Sequence, residues 1–204
     1  MKKIKFIIMF AFAILTGNSL AQTTTWKIDP VHSKIGFSVR HLIISEVEGR
    51  FKSFEGSITA DKEDFSGSKI VFSLDTRSVF TDNTRRDNDL KSSHFFDAEK
   101  YPKITFKSTS FEKVEDNKYK LEGDFTIKGV TNPIVLDVSY GGTIKDPWGN
   151  MRAGFKITGK INRFDYNLKW NKLLEAGGAV VGKEVNINCN LEIVKQKNKE
   201  EKND

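Results

Sequence analysis

The chain has 204 residues and a formal net charge of +6, half of it from Lys2, Lys3 and Lys5 at the N-terminus. The part expected to fold carries only about +2, which speaks against the concentrated basic face of a nucleic-acid binder. Cys189 is the only cysteine, so an intramolecular disulfide is excluded.

Residues 1–21 read as a cleaved signal peptide. The three lysines lead into an apolar run from Phe6 to Leu15, and Ser19-Leu20-Ala21 supplies a small-x-small cleavage pattern. The run is too short for a membrane span, which takes about 20 apolar residues. No cysteine follows Ala21, so lipoprotein processing is not expected. The mature protein is expected in the periplasm, or secreted beyond it. Residues 22–194 then form one domain, and 195–204, four lysines among three acids, form a disordered charged tail.

Alternation with period two, the mark of half-buried strands, runs through that domain. Ile35, Phe37 and Val39 share one face. Phe54 to Ala60 and Ile70 to Leu74 continue the pattern, followed by Ile104 and Phe106. Tyr119 to Ile127 and Ile134 to Tyr140 add two further rows, and Phe155 to Ile161 and Val185 to Ile193 close the series. Residues 77–100 interrupt it with a polar stretch that predicts a short helix, N-capped by Thr81 or Asn83. Residues 162–182 are irregular and carry Trp170 and Gly177-Gly178. Eight or more antiparallel strands, each with one apolar face, pack as a sandwich or close into a barrel. Sixteen phenylalanines fit such an interior. Gly56, Gly123 and Gly159 on the inward rows suggest space left inside, or else bulges and close strand packing.

Few residues suggest catalysis. His32 and Ser33 adjoin, with Asp29 upstream, but neighbours on one strand point to opposite faces and cannot share a nucleophile–base hydrogen bond. No G-x-S-x-G elbow occurs. The trio is expected instead to hydrogen-bond the chain where it enters the sheet. His32, His41 and His94 fit no metal-ligand spacing, so no metal is expected. Cys189, on an inward row, reads as a small buried apolar residue. Arg40, Arg85, Arg86, Arg152 and Arg163 accompany no phosphate-cradling loop.

The opening WKIDPVHSKIGFSVRH, through Trp26, Asp29, His32, Ser33, Phe37, Val39 and His41, resembles the first signature of the YceI-like family of exported lipid-binding proteins. Gly49-Arg50-Phe51 with Phe54-Glu55-Gly56 is similar to its second. Asp89 to Ser92, Phe95-Phe96-Asp97 and Tyr101 to Phe106 follow in order. The stretch from Gly123 to Thr131, Arg163 to Tyr166 and Val181-Gly182 complete the likeness. Two features depart from it: Asp89 stands where a neutral polar residue is expected, and the lysine-rich tail lies outside the pattern. The resemblance implies an all-β fold, an elongated lipocalin-like antiparallel barrel with the short helix over it. It further implies a cavity for a long isoprenoid or similar lipid and a homodimer. No cofactor and no enzymatic activity are expected, and the lysines of the tail offer an alternative role in transient membrane contact through anionic headgroups. Phe37, Val39, Phe72, Phe106, Phe125, Leu136, Tyr140, Phe155 and Ile157 are then the expected cavity lining, with Arg40, His41 and Trp170 at its mouth. A hydrolase using His32 and Ser33, and an interaction module with a filled core, are the competing readings.

Overall fold

The computed structural model describes residues 23–171 and 180–197. The signal-peptide segment, Gly177-Gly178 and most of the charged tail lie outside the described residues.

Among the described residues eleven strands and one α-helix follow in chain order, besides two short 3-10 turns at Thr76–Ser78 and Arg163–Tyr166: β1 (Thr24–Ile28), β2 (Lys34–His41), β3 (Ser45–Phe51), β4 (Phe54–Ala60), β5 (Lys69–Asp75), β6 (Val79–Phe80), α1 (Thr84–Lys91), β7 (Lys103–Glu115), β8 (Lys118–Ile127), β9 (Val130–Lys145), β10 (Met151–Asn162) and β11 (Val181–Lys195). Neighbours run β1-β4-β5-β7-β8-β9-β10-β11, and β11 returns to β1, so eight antiparallel strands close into a barrel. A barrel rather than a sandwich is therefore the solution, and closure removes the free edges of those eight strands. β2, β3 and β6 extend from the side of β11.

β11 pairs with β10 along one edge and divides the other between two partners. Its end, Ile193 to Lys195, pairs with β1, whereas Val181 to Asn190 pair with β2. The gap is bridged at Glu192, whose carbonyl accepts from the Asp29 amide at 2.8 Å and from the Ser33 hydroxyl at 3.2 Å. Its amide in turn donates to Ser33 Oγ at 3.0 Å. The Ser33 hydroxyl thus replaces a backbone pair where the strand is interrupted. β11 runs through Lys195, and the Gln196 amide donates to the Thr25 carbonyl at 2.8 Å, so the sheet continues past the boundary drawn at residue 194.

The helix is where the polar stretch predicts it, and Asn83 rather than Thr81 is its cap, accepting from the Arg86 amide at 3.0 Å. Thr81 instead donates its amide and hydroxyl to the buried Asp87 carboxylate, at 2.8 and 2.6 Å, tying α1 to β6.

The inward glycines do not leave empty space. A Cβ at Gly123 would lie 2.4 Å from Phe106 Cζ, and one at Gly159 would lie 2.4 Å from Leu136 Cδ2. At Gly56 it would meet Ile28 and Phe72. Each glycine seats a large side chain from a neighbouring strand, so close packing is the reading that holds.

Two apolar clusters divide the interior along the barrel axis. Trp26, Phe65, Phe111, Tyr119 and Ile193 fill one end, and Ile35, Phe51, Ile104, Tyr166 and Leu168 surround the other.

Candidate functional site

Between the two clusters runs a cavity of about 220 Å³. Eight expected residues line it: Phe37 and Val39 from β2, Phe72 from β5, Phe106 from β7, Phe125 from β8, Leu136 from β9, and Phe155 and Ile157 from β10. Tyr140 does not. A bulge in the β9–β10 ladder beside Phe155 and the ring of Phe65 cut it off from the channel. Its hydroxyl shares a 2.6 Å hydrogen bond with Thr143, and it borders a shallow outer cleft that includes His32 and Glu192.

Phe65 is the plug of this channel. It comes from the β4–β5 loop, held with φ +63° and 2% exposed. Its ring meets Trp26 edge-on at 5.1 Å and Phe155 at 5.3 Å and 90°. At the opposite end the lining includes Val39, Val181, Leu90 and Phe96, and among the described lining residues there no ring packs on three others as Phe65 does on Trp26, Tyr140 and Phe155, which makes this the permissive end.

None of the three expected mouth residues lines the cavity, although all lie near this end. Arg40 is exposed, and His41 pairs with Val181 across the ladder. Trp170 packs against the lining residue Phe95 with ring centroids 5.3 Å apart. Asp89, the departure from the family pattern, sits on α1 within 3.5 Å of His94 Nδ1, both side chains substantially exposed. Its charge is therefore directed to solvent rather than into the barrel.

Sequence reasoning did not single out Arg163, the one charged residue among the described residues of the lining, which is 3% exposed. Its Nε donates to the Gly182 carbonyl at 2.8 Å, Nη1 to the carbonyls of Leu168 and Trp170, the latter at 2.8 Å, and Nη2 to Val181 at 3.2 Å. Burial holds its pKa below the usual guanidinium value. Four carbonyls at the permissive end thus converge on one cation, fixing the run after β10 against the start of β11. Cys189 also faces the cavity, 8% exposed, and burial pushes its thiol pKa up to about 11. That keeps it protonated and unreactive.

The Asp29-His32-Ser33 trio lies outside the channel. β2 begins only at Lys34, so strand parity does not govern Ser33 and His32; their partners do. Ser33 is bound to the Glu192 backbone, while His32 Nδ1 meets Asp29 Oδ2 at 2.9 Å. Arg152 organises the cluster: its Nη1 donates to Asp29 Oδ2 at 2.8 Å and to Glu192 Oε1, and its Nε donates to Asp146 Oδ2 at 2.7 Å. Asp29, His32 and Glu192 could offer ligand atoms within 4.8 Å of one another. The carboxylate oxygens concerned already accept from Arg152, so the set reads as an ion-paired clamp joining β1, β10 and β11.

The clamp has a pH signature. His32 and Arg152 hold Asp29 well below the usual carboxylate range, and Arg152 with Asn150 lowers Asp146 to about 2. Both folded values lie below the unfolded ones, so their contribution is complete above about pH 5 and is lost progressively as pH falls through about 2, the Asp29 share last. Arg152→Met is expected to raise the acid-unfolding midpoint by roughly a pH unit. Its melting temperature should lie below the parent's at pH 7 and approach it near pH 2. An equal gap at both pH values, followed by circular dichroism, would contradict the assignment.

The family described as YceI-like domain matches residues 26–193. A UPF0312 protein of Staphylococcus aureus is 39% identical over 170 residues, covering 83% of this chain and 96% of that protein. The crystal structure of a Campylobacter jejuni YCEI protein is 32% identical, covers 78% of this chain and 90% of its own, and superposes with a TM-score of 0.64. A domain from Saccharophagus degradans, described as polyisoprenoid binding and implicated in plant cell wall breakdown, shares the fold. Its TM-score is 0.61 at 15% identity, over 84% of this chain and 98% of that one.

Proposed function

The chain belongs to the YceI-like family, and on that premise we propose that it is a non-enzymatic carrier or sequestering protein for a long, slender apolar lipid of the polyisoprenoid or quinone-tail type. The observation that carries this reading is a channel walled by hydrocarbon, plugged by Phe65 at one end and permissive at the other. The shared fold with a domain described as polyisoprenoid binding supports it. A volume of about 220 Å³ falls below the roughly 300–1,000 Å³ of ordinary ligand pockets, so it admits only a slender chain, and a forty-carbon tail enters fully only as the lining side chains move apart.

The energetics fit a carrier. Burying one methylene from water is worth about 0.8 kcal/mol, yet the cargo comes from a bilayer as apolar as the channel. The net preference is therefore a small difference set by shape, which allows loading and unloading. The leader and its cleavage pattern support work in the periplasm, with transient membrane contact and a homodimer as further parts of the proposal. Ser33 and His32, each bound elsewhere, leave the hydrolase reading without a nucleophile–base pair.

Mass spectrometry of protein purified from its native compartment, intact and after organic extraction, tests the reading. A stoichiometric long-chain lipid is expected. A ligand-free protein that also refuses an added forty-carbon isoprenoid alcohol would overturn it.

A further inference from the structure

The β2–β3 hairpin ends in Leu42, Ile43 and Ile44, and two features of this tip run against ordinary turn chemistry. Leu42 and Ile43 adopt φ of +51° and +68°. Left-handed backbone is comfortable for glycine or asparagine and strained for a β-branched residue such as isoleucine. Ile43 and Ile44 are also 51% and 86% exposed, at a position where a polar pair would serve the hairpin better. Strain and solvent-facing hydrocarbon are thus kept together at one spot, and that combination points to a use.

The tip stands at the permissive end of the channel. The Leu42 amide donates to the Val180 carbonyl at 3.0 Å, His41 pairs with Val181, and Val39 and Val181 line the cavity. We infer that Ile43 and Ile44 insert into the interfacial layer of a lipid bilayer and set the channel mouth against the membrane from which cargo is taken. This rests on the carrier reading and names the surface it uses. A bilayer is the occupant the area favours: a stable protein interface needs about 800 Å² per partner, far more than two side chains supply. On the flanking strands Arg40 is opposed by Glu46, so the contact depends on hydrocarbon and not on anionic headgroups. A second exposed apolar tip, Ile144 and Trp148, lies at the end sealed by Phe65, where cargo has no route inward.

The experiment compares the full chain, the Ile43→Asn/Ile44→Ser variant and Trp148→Ser. Flotation with phosphatidylcholine vesicles is measured first, then the rate at which each extracts a forty-carbon isoprenoid alcohol from those vesicles. The hairpin variant, relieved of strain, should melt at the parent's temperature or above and bind the same alcohol equally well from detergent solution. Its flotation and extraction rate should fall at least fivefold, while Trp148→Ser behaves as the parent. Unchanged flotation and extraction in the hairpin variant, or a loss confined to Trp148→Ser, would overturn the inference. A parent that floats with vesicles but binds no alcohol from detergent would leave the docking tip standing and sink the carrier reading instead.

Discussion

Arg163→Met is expected to destabilise the fold by about 3–5 kcal/mol, as much as truncating a buried aromatic side chain. Methionine fills much of the volume but donates to none of the carbonyls of Leu168, Trp170, Val181 and Gly182. Those acceptors would be left in a site almost closed to water, each costing about 1–3 kcal/mol unless local rearrangement admits solvent. In a domain of this size the melting temperature should drop by roughly 10–15 °C. Arg163→Lys should recover little, because an ammonium cannot spread donors across the same planar fork. Thermal melting by circular dichroism checks both variants. A methionine variant within 2 °C or so of the parent would show that the carbonyls are satisfied without the guanidinium.

The second large effect concerns the channel and should leave stability nearly untouched. Ile157 projects from the middle of β10, half-buried against the cavity, between Val138 and Cys189 on the flanking strands. Ile157→Trp places an indole in space that is already open, so overpacking, which ordinarily costs about 1–3 kcal/mol in a filled core, is largely avoided. A forty-carbon isoprenoid alcohol should then bind at least tenfold more weakly, a loss of about 1.4 kcal/mol, with melting within a few degrees of the parent. Equal affinity would move the cargo out of the barrel. A collapse in stability without a change in affinity would mean that the interior is packed more tightly than its volume implies.

Much of this was legible in period-two alternation, because a strand with one buried face writes its orientation into every second residue. The long strands β7 to β11, and the inward position of eight of nine expected lining residues, were readable on that basis. β1 and β6 are too short to establish a period, and β3 is masked by Gly49, over which the Phe37 ring lies. Tyr140 shows the limit of parity: it reports which face a side chain occupies but not its depth along the barrel, and Phe65 decides the depth. Phe65 left no signal, since its place depends on a left-handed loop residue. Arg163 could not be told from Arg85 or Arg152, because burial belongs to the folded state and not to residue type.

The division of β11 between β1 and β2 bears on how the molecule can come into being. The ring is shut by the last strand meeting the first, across nearly the full length of the described chain. Until β11 arrives, β1 and β10 each present an unpaired edge toward the other, and no cavity exists. Pairings of such long sequence separation form late and slowly, because the entropy of closing the loop must be overcome first. A chain still emerging from a ribosome or a translocation pore therefore stays an open, threadable sheet and becomes a container only once its final segment is free.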